Sequence, residues 1–297
     1  MTSVDVCICT YRRDTLDDTL ASIARQQLEG AQVRVIVADN DDHAERRETI
    51  EATAKVLGLN LKYVHAPARN ISVARNACLD AAAGDWIAFI DDDEIAAANW
   101  LCELLQASFD RDIVFGLVQT NYPPDAPQWA IEGDFHSTRL KSNDADWNGH
   151  TGNALITASF IRDHRLRFAT AYGRAGGEDT VFFFEAKKAG ARFGYAPTAV
   201  VNEFTPASRV SLRWLLERRF RSGQTHHNIM RREGRLIAGT LSAAPKLAWS
   251  LVAAISARRR ANAARHLLRG ALHAGVIAAA IGITPYEERD GDDAQRL

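Results

Sequence analysis

The sequence predicts an α/β fold: a mainly parallel, doubly wound sheet followed by a basic helical C-terminal region. Three observations carry this. In the first half, short apolar runs rich in β-branched residues alternate with helical patterns. These runs have polar neighbours at both ends, as strands covered on both faces do where they surface. Beyond Ser208 the pattern turns helical and positive charge gathers. With 297 residues, 46% hydrophobic and 25% charged, the composition is that of a soluble globular protein and excludes a disordered or low-complexity chain. The length suits one large domain with an appendage.

The elements follow in order. VDVCIC (4–9) is the first strand, with a helical stretch over 15–27. VRVIVA (33–38) is the second, followed by a helix over 45–57. LKYVHA (61–66) is a weaker strand, then comes a helix over 72–83. WIAFI (86–90) is strong and wholly apolar. IVFGLVQTNY (113–122) is another strand, after which PPDAPQW breaks the pattern and residues 123–150 form a loop-rich insertion. GNALITA (152–158) is again strand-like. GGEDTVFFFEAKKAG (176–190) is a Gly-Gly turn entering a helix, and RFGYAPTAVVNEF (192–204) is expected to make a final strand pair. The expected domains are 1–207, with halves 1–120 and 121–207, and a basic helical region over 208–297.

Charge is unevenly spread. The net charge is −1, yet from Ala207 to Gly270 fourteen Arg and Lys meet only Glu217 and Glu233, a local excess of +12 against −13 elsewhere. Such asymmetry points to an anionic partner surface, phosphate or acidic lipid. LIAGTLSAAPKLAWSLVAAIS (236–256) is long enough to test as a membrane span, but Pro245 and Lys246 interrupt it. Pro245 suits a helix start. Leu247, Leu251, Val252 and Ile255 then mark one face ahead of Arg258, Arg259 and Arg260, which reads as an interfacial helix. Ordinary packing on the domain is the alternative. ALHAGVIAAAIGI (271–283) is too short to span. Cys7, Cys9, Cys78 and Cys102 make no zinc-spaced cluster and read as small buried residues of a reducing compartment. A strand so close to the N-terminus leaves no signal peptide to expect.

In open α/β sheets ligands bind beyond the carboxyl ends of the strands. There the sequence places Thr10, Tyr11, Arg12 and Arg13, then Asp39 to Asp42, then Asp91, Asp92 and Asp93 with Glu94 behind. Crowded carboxylates raise one another's pKa and destabilise the fold. A hard divalent cation resolves this, and Mg²⁺ or Mn²⁺ is held by one or two carboxylates plus substrate phosphates. The triplet reads as a partial metal site, with a plain acidic surface loop as the alternative. Glu178 and Asp179 open a helix after Gly176 and Gly177. They suit either capping or general-base work on a hydroxyl nucleophile. Arg218 and Arg221 share a helical face and suit phosphate recognition, or simply solvation.

The motif order is TYRR, Asp39, NISVARN (70–76), FIDDDE, GNAL (152–155), GGED and RRFRSG. It resembles the family 2 glycosyltransferases of bacteria, over roughly residues 4–223. These have the GT-A fold, a Rossmann-like nucleotide-binding sheet. The likeness is to the branch building exopolysaccharide repeat units, such as the succinoglycan glucosyltransferases. The resemblance implies that Thr10, Tyr11, Arg13, Asp39 and Arg75 line the nucleotide pocket. Asp91 and Asp92 would contact the nucleotide-sugar, and Asp93 with Asp91 the Mg²⁺ or Mn²⁺. Asp179 would be the base for the acceptor hydroxyl, with Glu178 beside it, and Arg218 and Arg221 would meet the diphosphate. The family's QxxRW motif is matched poorly, which favours addition of one sugar over processive polymerisation. The implied reaction inverts configuration, moving a sugar, as a hexose, from a UDP-sugar to a glycan or polyprenyl-diphosphate-linked acceptor. The implied location is peripheral, on anionic lipid at the cytoplasmic face of the bacterial inner membrane, with no nucleic-acid partner. Asn153, His150 and Trp147 are weaker acceptor contacts, and Trp129 either stacks on sugar or packs its loop. A metal-dependent nucleotidyltransferase and a catalytically inert assembly partner are the rival readings. The missing glycine-rich loop after strand one speaks against the first, the retained carboxylates against the second.

Overall fold

The computed structural model describes residues 2–28, 30–140, 149–174 and 176–283. The chain divides into two compact units, the first drawn from 1–119, 137–174 and 178–203, the second from 120–136, 175–177 and 204–297.

The first unit is built on a sheet of eight strands. It runs β1 (Thr2–Thr10), α1 (Leu16–Ala24), β2 (Ala31–Asp39), α2 (Arg47–Val56), β3 (Leu61–His65), α3 (Ile71–Ala81) and β4 (Trp86–Ile90). It continues through β5 (Glu94–Ala96), α4 (Trp100–Ala107) and β6 (Ile113–Asn121). After α5 (Gln128–Gly133), which belongs to the second unit, come β7 (Asn153–Thr157), α6 (Ala158–Asp163), α7 (Glu178–Lys188) and β8 (Phe193–Phe204). Strand order is β3-β2-β1-β4-β7-β6-β8-β5.

The β3-β2-β1-β4 half is parallel, as expected. The other half is not: β7 runs antiparallel to β4 and β6, and β5 antiparallel to β8. Strands buried on both faces read alike in either direction, so the apolar runs concealed the reversal. One further expectation changes: the final strand pair is one twelve-residue strand, β8. The acidic triplet is followed directly by the short strand β5, which begins at Glu94.

Alternation along the strands explains why both faces are covered. On β1, Val4, Val6 and Ile8 join one apolar cluster with Leu16 and Leu20 of α1 and Trp100 and Leu104 of α4. Cys7 joins the opposite cluster with Ala74 and Cys78 of α3 and Phe182 and Phe183 of α7. All four cysteines are free thiols.

The second unit packs α5 with α8 (Leu212–Arg232), α9 (Leu236–Ile255) and α10 (Arg260–Ala280). Helices α8 and α10 approach through glycine. A Cβ on Gly223 would lie 2.0 Å from the Leu272 carbonyl oxygen, and one on Gly275 2.0 Å from that of Phe220. Residues 120–136, expected in the first domain, group here instead. The physical reason is polar and aromatic: Arg265 of α10 donates to the Gly133 carbonyl at 3.2 Å. His136 donates to the Arg209 carbonyl at 3.1 Å and stacks on Trp214 at 5.6 Å. Helix α9 starts at Leu236, not Pro245, which lies inside it. By length and composition it is the one helix among the described residues that is able to cross a membrane.

Near the start of the interior strand β1, Asp5 ties three elements together. Its carboxylate takes paired bonds from Arg34 of β2, both 2.8 Å, and accepts from the Ala83 and Gly84 N–H groups ahead of β4 at 2.6 and 2.7 Å. Burial raises its pKa, but these donors more than offset that and hold it below the usual carboxylate value. The stability it contributes is therefore present above about pH 4 and lost as pH falls below that. Asp5→Asn should cost about 3 kcal/mol at pH 7, read by urea denaturation, and the difference should shrink at pH 3.

Candidate active site

The acidic tip is a tight turn with two carboxylates turned in and two turned out. Strand β4 is buried to Ile90. Glu94 then closes the turn twice, its N–H donating to the Asp91 carbonyl at 3.2 Å and its carboxylate accepting the Asp91 N–H at 2.9 Å. Thr15 and Thr19 of the α1 segment donate hydroxyls to the carbonyls of Asp92 and Glu94, both at 2.8 Å. Glu94 is 2% exposed, and burial, with Asp91 adding, pushes its pKa far up. Asp92 is buried too. Desolvation, with Asp93 and Asp91 adding, pushes it up to about 7 against the opposing pull of the Thr10 hydroxyl and Arg13. Asp91 and Asp93 remain at the surface, 3.7 Å from Arg75 and 3.9 Å from Arg13.

A buried arginine joins this tip to the Glu178-Asp179 turn. Asn70 caps α3, accepting the Ser72 N–H at 3.0 Å. One turn later Arg75, only 6% exposed, pairs with Glu178 and reaches Asp91, its guanidinium 5.6 Å from the Phe168 ring centre. Burial disfavours its charge, but Glu178, Asp91 and Asp179 outweigh that and raise its pKa. Glu178 is equally buried, and desolvation raises its pKa despite Arg75. The sequence reading gave Arg75 to the nucleotide and Glu178 to catalysis. The structure pairs these two side chains with each other. Asp179 differs. It is half-buried in the first turn of α7, one oxygen accepting the Thr180 N–H at 2.7 Å. The other has no hydrogen-bond partner among the described residues.

The ends of β1 and β2 form the neighbouring rim. Asp39 is 1% exposed and accepts from the Tyr63 hydroxyl at 2.7 Å and the Asp41 N–H at 3.0 Å. Thr10 is buried, and the Tyr11 hydroxyl is buried with no partner among the described residues. Two arginines to which the resemblance gave no role are held here in left-handed backbone. Arg12 (φ 54°) forms a fork-on-fork pair with Asp41 at 2.8 and 2.9 Å, and Arg69 (φ 45°) bonds Asp42 at 2.7 Å. Such residues cost about 1 kcal/mol or more each and persist where their surroundings over-determine them. The adjacent Asp41-Asp42 and Arg12-Arg13 pairs were the sequence signal for this lattice. Glu94 carried none beyond its place in the acidic run.

Other expected residues lie as follows. Asn153 is a core amide, not an acceptor contact: its side chain accepts from Trp100 at 2.8 Å and donates to the Leu117 and Ala199 carbonyls at 3.0 and 2.8 Å. His150 accepts the Gly152 N–H at 3.3 Å and pairs with the Thr138 hydroxyl. A Cβ on Gly152 would lie 3.1 Å from the His150 ring and 3.2 Å from the Asp91 carboxylate, so His150 borders the acidic tip. Trp147 lies outside the described residues. Arg218 and Arg221 are on α8 in the second unit, Arg218 over the Trp214 ring at 5.3 Å.

Among the described residues no group of three or more His, Cys, Asp or Glu is arranged to hold a metal ion. Asp91 and Asp93 offer two hard oxygen donors at the surface. That fits an open, hydrated Mg²⁺ or Mn²⁺ site completed by substrate phosphates rather than a closed protein cage.

The profile described as glycosyl transferase family 2 matches residues 5–164. The chain is 40% identical, over 96% of its length and 95% of the relative's, to the succinoglycan biosynthesis protein ExoM of Rhizobium meliloti (strain 1021). Among solved structures it resembles the mannosyltransferase PcManGT from Pyrobaculum calidifontis, solved with GDP-Man and Mn²⁺. That likeness has TM-score 0.65 and 18% identity, covering 93% of this chain and 86% of that one. It also resembles S. aureus TarS 1–349 in complex with UDP-GlcNAc, with TM-score 0.55 and 14% identity, covering 95% and 92%. The fold is GT-A, and the chain belongs to glycosyl transferase family 2.

Proposed function

We propose that this glycosyltransferase moves a single hexose from a UDP-sugar to a glycan or lipid-linked acceptor in exopolysaccharide synthesis, with inversion of configuration. One observation carries the reading: Arg75 bridges Asp91 of the acidic tip and Glu178 of the Glu178-Asp179 turn, so both acidic motifs belong to one cluster. The 40% identity to a succinoglycan biosynthesis protein supports the pathway class. Nucleotide-sugars in the related structures support the donor class.

Asp179 is the base. Its unbonded oxygen accepts the acceptor hydroxyl's proton as that oxygen attacks the anomeric carbon, and a single displacement turns an α-linked donor into a β-glycoside. Glu178 is the counter-ion of Arg75. Asp39 and Tyr11 orient the nucleoside, while Arg13 faces the diphosphate as charge develops on it. Asp91 and Asp93 would hold Mg²⁺ or Mn²⁺, which when bound neutralises that charge. Motif order alone supports giving Arg218 and Arg221 to the phosphates. The basic second unit and the apolar face of α9 support a peripheral protein on anionic lipid at the cytoplasmic face of the inner membrane.

Three measurements test this. The chain with Mg²⁺ or Mn²⁺ should slowly hydrolyse a UDP-sugar to nucleoside diphosphate. Chelation should stop this and either ion restore it; formation of pyrophosphate instead would favour a nucleotidyltransferase. Asp179→Asn should lower transfer by about 10²-fold or more while donor affinity, read by calorimetry, is unchanged. Normal turnover would remove the base assignment. Arg75→Ala leaves Glu178 buried without its cation and should cost about 3–5 kcal/mol in chemical denaturation. Arg75→Lys, a point charge in place of a fork, should fold but lose kcat more than donor affinity.

A further inference from the structure

We propose that the cleft between α9 and α10 binds the diphosphate of a lipid-linked acceptor, with the lipid chain lying along the exposed face of α9. This deepens the acceptor side of the reaction proposed above and rests on it.

The cleft has a volume of about 500 Å³ and is lined by Pro245, Lys246, Trp249, Ser250, Arg269 and His273. Lys246 and Arg269 are exposed, and among the described residues neither makes an ion pair. The Lys246 ammonium donates only to the Ser242 hydroxyl, at 3.2 Å. His273 gives up its proton more readily than usual, through burial first and then its neighbours Lys246, Arg269 and His226. Like charges gathered with no ion-pair partner among the described residues repel one another, and an anion relieves that. Arginine offers a planar fork to phosphate and lysine a point charge.

An apolar surface adjoins this recess. Ile237, Leu241, Leu251, Val252 and Ile255 of α9 are all exposed, and Trp249, 69% exposed, stands between them and the cations. Except for Trp249, these residues recur on one side of the helix, which at twenty residues is about 30 Å long. Lys246 sits near the midpoint of α9, nine residues from both Ile237 and Ile255 and so on the opposite side of the helix, while Pro245 and Trp249 of the cleft lining, next to Leu241 and Val252 on the helix surface, connect the recess to the apolar face. The matching molecule has a compact, multiply charged head and a long hydrocarbon chain. Free phosphate lacks the chain. A singly charged phospholipid uses the chain but leaves part of the cationic recess unmatched.

The test uses the full chain and phosphatidylcholine vesicles carrying either polyprenyl diphosphate or enough phosphatidylglycerol to match its charge. The unmodified chain should bind the diphosphate vesicles about tenfold more tightly. Lys246→Ala combined with Arg269→Ala should abolish that preference, with an unchanged circular dichroism spectrum. Trp249→Ala should weaken binding to both vesicle types. Equal binding by the unmodified chain would make the cleft a general anionic-lipid contact and overturn the proposal. So would a preference that survives the double substitution, or a stable dimer in light scattering that Ile237→Ser and Leu241→Ser disperse. Donor hydrolysis by the unmodified chain, measured in parallel, reports separately on the transfer reading.

Discussion

The buried guanidinium of Arg75 is the constraint on which the site depends. It sits 6% exposed between Glu178 at the start of α7 and Asp91 at the end of β4. A buried ion pair is weak evidence for stability, because desolvation offsets much of the attraction. Its value here is geometric. With only one partner, Arg75 would hold one motif. With two, it fixes the strand terminus and the helix N-terminus in one arrangement, and Asp179 follows because it is the next residue on that helix. Lysine, a single point charge, does not meet two carboxylates in this way.

The same electrostatics explains four acids where a core strand surfaces. Asp92 and Glu94 are drawn inward, and burial raises both pKa values, so the charge actually presented is smaller than the sequence implies. Asp91 and Asp93 stay outside, beside Arg75 and Arg13. The turn therefore buries two of its carboxyl groups and presents the other two, and Glu94 holds it through the Asp91 N–H and carbonyl. Around it, Arg12-Asp41 and Arg69-Asp42 keep strained backbone in place at the rim.

The second unit obeys a different logic. Close helix contact through Gly223 and Gly275 replaces a large apolar core, and few of its big hydrophobic side chains are buried. Ile237, Leu241, Val252 and Ile255 are left outward on α9 with arginines beyond its end. A surface of this kind is expensive in water and favourable against hydrocarbon.

Several features were legible from the chain alone: the parallel β3-β2-β1-β4 half, the rim at the strand ends and the family. Periodicity and polar termini are local properties, and ordered motifs need no coordinates. Strand direction in the other half was not legible, because two-sided burial leaves the same apolar pattern either way. The role of Asn153 depended on Trp100 and two distant carbonyls, and the grouping of residues 120–136 on Arg265 and Trp214. The resemblance already singled out Asp179 of GGED as the expected base. What tertiary packing added is the surroundings of the two acids: Arg75 pairs with Glu178, and one oxygen of Asp179 has no hydrogen-bond partner among the described residues. Partners distant in sequence decide which of two adjacent carboxylates keeps a free lone pair.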